Sequence, residues 1–476
     1  MVNKYCFFVW LVLLTWSCQN ENLTPEVSNL PKVDLTYEEY ISIAFDSPRT
    51  LSESEAMELV QNFDGSGDLS RGEERTFSIK RKYSLGSTDG TLSRGDNNRQ
   101  CVPVYEITMN EGNDTGLAIV AADERVAGVV AFIPKIIPDK EVEQRENNFM
   151  LKLSELSVLH RLAFVDSIRM TKRDSTMSKV SEKLGIPVNE INFEQIKEQI
   201  NIRNEGNGLS RAKPLPNLPP PSTVGTQNTA FLKVDWGQDE PYNLLLPTYP
   251  DPNYDWVTYH YPLGCSVTAL MMVYSYFEPS MKGYDNGQEM IIDWAYLKEN
   301  RKIINPDYGV PGDPERKLRM ISRLGFWIYN GTKTQTTYKN GVYQSGTSRN
   351  EIADDLDTYK IAHDPIKSLN KSKWRDLEIL MDDVKEYRIA IMGATRLNAG
   401  KDTPTATGNH VWVLDGYGRQ AIFEGTTVHV YDYLHANMGW NGSYNGWYCI
   451  DTSLSFETGN GDYDTDYWYI SKLRKK

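Results

Sequence analysis

Cys265 and His410 stand in contexts that suit a thiol and an imidazole to act on one another. Cys265 follows Tyr261-Pro262-Leu263-Gly264 and opens the apolar run Val267 to Tyr274, so a tight turn leads straight into an amphipathic helix. A thiol in the first turn of a helix meets free backbone N–H groups and the positive end of the helix dipole. Both favour the thiolate, so a lowered thiol pKa is expected. His410 lies in the stretch Gly408 to Gly418, which reads as a strand ending in a turn. An imidazole carried beside the thiol completes a nucleophile–base pair. Gln238 stands 265 − 238 = 27 residues before the cysteine. Its neutral amide is the kind of donor that an oxyanion requires. Downstream of the histidine, Asn437 offers a carbonyl that can accept from the second imidazole nitrogen and fix its tautomer, and the Trp440 indole can shield that bond from water.

Two kinds of element must position these groups. Val267, Leu270, Met271 and Tyr274 recur at i, i+3, i+4 and i+7, the spacing of one apolar helix face. After His410 the texture changes to strands over Val411 to Leu414, Val428 to Tyr433, Trp447 to Ile450 and Tyr467 to Ile470, separated by glycine-rich turns. Helical stretches are expected near 314–324 and 373–386. A thiol on a helix with a histidine 410 − 265 = 145 residues downstream follows the papain-type order. Upstream, Leu51 to Phe63 reads as a helix capped by Ser52, with Glu55 closing a capping box. Val102 to Met109 reads as a strand, and Gly116 to Val120 with Gly128 to Ile133 as a hairpin. Residues 140–202 are charged and helical in pattern. Residues 204–224 hold five prolines in 21 positions, including Pro219-Pro220-Pro221, and mark a linker.

The chain ends a short apolar run, Phe7 to Trp16, at Ser17-Cys18, behind a positive Lys4. The run is too short to span a bilayer and reads as an export signal. Cys18 in that place is expected to carry lipid, which leaves a tether over 19–37; an ordinary secretory signal is the alternative. Of five cysteines, Cys101, Cys265 and Cys449 then stay in the mature chain, too few and too irregular for a disulfide framework. The net charge of −13 disfavours nucleic acid and anionic membrane surfaces as partners. No His-Glu-x-x-His or Cys-x-x-Cys occurs, so neither a metal nor another cofactor is expected. Asp64-Gly65-Ser66-Gly67-Asp68 imitates the start of a calcium loop but lacks its glycine and its bidentate glutamate. Asp462, Asp464 and Asp466 read as a solvated acidic turn.

Four motifs together resemble the streptopain family of secreted bacterial papain-like cysteine peptidases. They are Trp236 to Asn243, Gly264 to Ala269, Gly408 to Tyr417 and His435 to Gly442. The resemblance implies Cys265 as nucleophile, His410 as base, Gln238 as oxyanion donor, Asn437 as the orienting group and Trp440 as the shield. It implies an α+β fold: a two-lobe catalytic domain over 225–476, one half helical and one antiparallel β, preceded by an inhibitory α+β pro-domain over 38–203. The partners implied are a peptide substrate and the chain's own pro-domain, released by cutting in 204–224. Met272 and Met438 stand where the family usually has glutamine and tryptophan.

The expectation is thus an exported endopeptidase made as a zymogen, secreted or held on the outer membrane or cell surface. Two other readings stay open: an inactive homologue serving in binding or adhesion, and a cysteine amidase acting on cell-wall peptides. Of the other histidines, His160, His260, His363 and His429 read as surface or structural, and His435 as a competitor for the role of base.

Overall fold

The computed structural model describes residues 31–65, 75–86, 101–203, 229–251, 254, 256–285, 287–304, 313–339, 342–369, 376–397, 406–424, 427–454 and 465–476. The signal segment and the proline-rich linker lie outside them. The fold is α+β, as expected, but its largest feature crosses the boundary that the linker suggested. Eleven strands form one sheet. Its C-terminal half runs Thr465–Ile470, Ala390–Leu397, Ala406–Glu424, Thr427–Asn437 and Gly446–Ile450, all neighbours antiparallel. Gly446–Ile450 then pairs with Gly128–Ile136 of the N-terminal region, and the sheet continues through Asp114–Ala121 and Val102–Glu111 to Thr76–Leu85.

The joint is short. Trp447 faces Phe132 and Tyr448 faces Ala131, and these two pairs carry the register across. Gly446 sits at its start because nothing larger fits: a Cβ there would lie 2.4 Å from the Phe132 carbonyl oxygen. An edge strand left open invites pairing, and here the edge of each half covers the other.

Packing follows the sheet. One buried cluster contains Leu117, Ile133 and Phe149 from the N-terminal region with Trp412, Leu434 and Tyr467 from the C-terminal region. Phe149 stacks on Trp412 at 6.5 Å and 8°, and the Tyr467 hydroxyl donates to the Phe149 carbonyl at 3.1 Å. Phe149 opens the long helix Phe149–Leu184, whose first turn is capped by the Asn148 side chain. A second cluster surrounds the helix Cys265–Phe277.

That helix departs from expectation. Ser266 to Ser275 are all buried, not one face of them, so the helix passes through the core between the helical elements and the sheet. The upstream helix runs Glu53–Gly65 with the Ser52–Glu55 capping box made in both directions, at 2.7 and 3.3 Å. The expected helices near 314–324 and 373–386 are Asp313–Gly331 and Asp376–Tyr387. The turn expected after His410 is instead a bulge: the strand continues to Glu424 with a register shift between Leu414 and Gly416.

Candidate active site

The turn before Cys265 is built from residues of the first two motifs. Gly264 caps the helix with φ +89°, and a Cβ there would stand 2.8 Å from the Ser345 carbonyl oxygen. Only glycine satisfies both demands. The Asn243 amide donates to the Tyr261 carbonyl at 3.1 Å, holding the approach to the thiol. Ser345 donates to the Pro262 carbonyl at 2.5 Å from the other side. Thr268, one turn into the helix, donates to the carbonyls of Gly237 and Gly264 at 3.3 and 3.2 Å. It therefore ties the loop carrying Gln238 to the helix carrying Cys265. The Leu263 amide adds a bond to the Gln238 carbonyl at 3.0 Å. Sequence reasoning quoted Thr268 and Asn243 within the motifs but gave neither a task. Their side chains act on backbone groups distant in sequence, which only the fold reveals.

His410 projects from the strand Ala406–Glu424 opposite Ala394 and is 3% exposed. Its Nε2 lies 2.9 Å from the Met438 carbonyl oxygen. A carbonyl only accepts, so Nε2 carries the proton and Nδ1 keeps the lone pair that a base needs. Trp440 lies face to face with the imidazole at 4.4 Å and 25°. The orienting acceptor is thus a backbone carbonyl and not Asn437. The Asn437 amide donates to the Val234 carbonyl at 2.8 Å, and its oxygen accepts from the Gly439 amide at 3.3 Å. Asn437 shapes the loop that presents Met438. The Met438 side chain is itself buried in the core, so the residue's identity matters less than its carbonyl.

Gln238, Cys265, His410 and Trp440 line one cavity of about 1130 Å³. His260 lines it as well, with Nδ1 2.7 Å from the Leu246 carbonyl oxygen. His435 does not line it. Its Nδ1 meets the Asp415 carboxylate at 2.5 Å and its ring packs against Trp447 at 4.8 Å. Asp415 also accepts from the Leu232 amide at 3.0 Å, so this pair pins the bulge to its neighbours.

The N-terminal region supplies the cavity's remaining wall through Ile137, Lys140, Glu143, Gln144, Glu146 and Asn147. Several bonds fix this segment over the site. The Ile137 amide donates to Ser443 at 3.0 Å, and Ser443 donates to Gln144 at 2.6 Å. Lys140 pairs with Asp239 at 2.9 Å, and Arg396 donates to the Glu146 carbonyl.

Burial leaves neither the Cys265 thiol nor the His410 imidazole charged. Burial pushes the Cys265 thiol up, against the pull of the Val411 and Ser266 backbone amides. The expected lowering by the helix start is outweighed by desolvation. Burial also holds the His410 imidazole down, to about 4, with the Met438 carbonyl acting in the opposite sense. The pair is therefore held as thiol and neutral imidazole.

Among the described residues no group of three or more His, Cys, Asp or Glu side chains is arranged to hold a metal ion. Asp462 and Asp464 lie outside them, and Asp466 is paired with Arg349 at 2.6 Å. No helix among the described residues is long and apolar enough to cross a membrane.

Comparison with known proteins gives one family: residues 236–448 match the Peptidase C10 family. The streptopain resemblance read from the motifs is borne out over that segment. No curated protein matches the chain. Among solved structures, a fragment of prointerpain A from Prevotella intermedia is similar at 15% identity with a TM-score of 0.40. That match covers 83% of this chain and 100% of the fragment.

Proposed function

We propose that this chain, with a C10-family peptidase segment over 236–448, is a cysteine-type endopeptidase made as a zymogen. The observation that carries the reading is the shared cavity: Gln238, Cys265, His410 and Trp440 on one side, residues 137–147 closing the other. Once the cover is displaced, water reaches the site and desolvation no longer penalises charge. The Cys265 proton then passes to His410, and the thiolate at the helix start gains the stabilisation of the free amides.

The thiolate attacks a peptide carbonyl. Gln238 and the Cys265 amide receive the oxyanion. His410 protonates the leaving amine, so the C–N bond breaks and an acyl-enzyme remains. His410 next takes a proton from water, which attacks the thioester and releases the acid. Throughout, the Met438 carbonyl keeps Nε2 protonated and Trp440 covers one ring face.

In this reading 38–203 forms the inhibitory pro-domain, 225–476 the peptidase domain, and cutting falls in 204–224. Export through the 1–18 signal, with or without lipid on Cys18, belongs to the same reading. The test is incubation of the linker-cleaved chain, after its N-terminal part has been removed, with unfolded casein and with purified peptidoglycan, beside a Cys265→Ala control. Casein cleavage that falls by more than about 10³-fold in the control supports the peptidase. Release of peptides from peptidoglycan alone would favour the amidase. No Cys265-dependent cutting of either would leave the binding protein.

A further inference from the structure

The cavity has two features that the thiol chemistry does not use. One wall is aromatic. The hairpins Thr248–Pro250 with Thr258–His260 and Gln335–Lys339 with Val342–Gly346 bring Tyr249 to 4.3 Å and Tyr338 to 4.8 Å from Tyr343. Tyr249, Tyr259, Tyr338 and Tyr343 all line the cavity. The second feature is acidic. Asp239 and Glu240 follow Gln238 directly and line the same space. Tyrosine faces attract cations, and carboxylates pair with them. Asp239 is close enough to the aromatic wall to help raise the Tyr249 hydroxyl, after burial.

In the intact molecule one of these carboxylates already holds a cation. Lys140, carried over the site by the N-terminal region, places its ammonium 2.9 Å from Asp239. The Lys140 side chain is half exposed and its ion pair is with Asp239, outside the N-terminal region. We infer that Asp239, with Glu240 and the tyrosine wall, forms a subsite for a lysine or arginine side chain of the substrate near the scissile bond, and that Lys140 occupies it before activation. The inference rests on the peptidase reading and names its substrate class. Because Asp239 keeps about half its surface in water, water screens the pair, and the preference it confers is modest.

The test is a matched decapeptide library with Lys, Arg, Gln, Glu or Leu at each position within three residues of one cleavable bond. The linker-cleaved chain, freed of its N-terminal part, is compared with Asp239→Asn and Asp239→Lys prepared in the same way. The expected result is a preference for Lys and Arg over Gln of about five-fold in kcat/KM at one position. The ratio should fall to near one in Asp239→Asn and turn towards Glu in Asp239→Lys. Equal cutting of all members, a preference confined to Leu, or a basic preference that Asp239→Asn leaves intact overturns the subsite while leaving the peptidase standing. No cutting of any member by the parent chain overturns both. A second readout needs no turnover: Lys140→Glu in the uncut chain sets like charges against Asp239 and should raise the alkylation rate of Cys265 several-fold. An unchanged rate would show that Lys140 does not hold the subsite.

Discussion

At the scale of single residues, latency is a matter of charge withheld. His410 is held to about 4 by burial, against an ordinary value of 6.5. A buried imidazole with a depressed pKa binds fewer protons in the folded state than in the unfolded one. The stability it contributes is therefore complete above pH 6.5 and is lost as pH falls from 6.5 towards 4. The full effect is roughly 3 kcal/mol, at 1.36 kcal/mol per unit. Urea unfolding of the Cys265→Ala chain between pH 7.5 and 4 should show it, and adding His410→Gln should remove that part of the slope. Equal slopes in the two proteins would mean that His410 does not couple acid to unfolding. The same scale explains why the proposed nucleophile and base are legible in the sequence while the acceptor for the imidazole is not. The roles proposed for Cys265, Gln238 and His410 are side-chain roles, which spacing and type disclose. The acceptor for Nε2 is the Met438 carbonyl, and every residue carries a carbonyl.

At the scale of elements, the helix Cys265–Phe277 was legible because its apolar pattern is long and its punctuation is strong, whereas of the strand Ala406–Glu424 only the stretch around Val411 to Leu414 showed. The capped helix Glu53–Gly65 was legible for the same reason. The strand Ala390–Leu397, which pairs with the His410 strand along its length, gave no alternating pattern because it is central and buried. The bulge at Asp415 looked like a turn because Asp415-Gly416 is a turn dipeptide. Its continuation depends on His435 across the ladder. Least legible was the joint between the two halves of the sheet. It rests on Gly446, whose missing Cβ matters only because Phe132, more than 300 residues earlier, passes 2.4 Å away. Gly446→Ala should separate the strands there. The three closest atoms a Cβ would meet all belong to Phe132 and Ile133, so the strain falls on the closed state. Hydrogen exchange at Ala131 and Phe132 should quicken by at least about ten-fold, equivalent to 1.4 kcal/mol or more. Unchanged protection would show that the joint adapts.

At the scale of the whole molecule, linker and domain boundary are different things. A division at 204–224 separates two stretches of chain, yet the stretches share a sheet and a core. Phe149 against Trp412 and the bonds through Ser443 do not depend on the linker being whole. A cut there should leave a non-covalent complex, and the two fragments should co-elute in size exclusion at neutral pH. Separation without denaturant or acid would show the shared core to be weaker than its burial implies. Release of the N-terminal part then calls for further cutting within it.

The central claim is that Cys265 is a nucleophile kept neutral by the N-terminal cover. Alkylation with iodoacetamide at pH 6.5, followed by peptide mapping, tests it in one sample, with the chain intact and after the N-terminal part is removed. Cys101 is exposed, and Cys449 is buried with its thiol pushed up to about 12, so they serve as the accessible and the inaccessible reference thiol in the same sample. Cys265 should label more slowly than Cys101 in the intact chain and at least about ten-fold faster than Cys101 once uncovered. A Cys265 rate at or below that of Cys101 in both states would contradict the account.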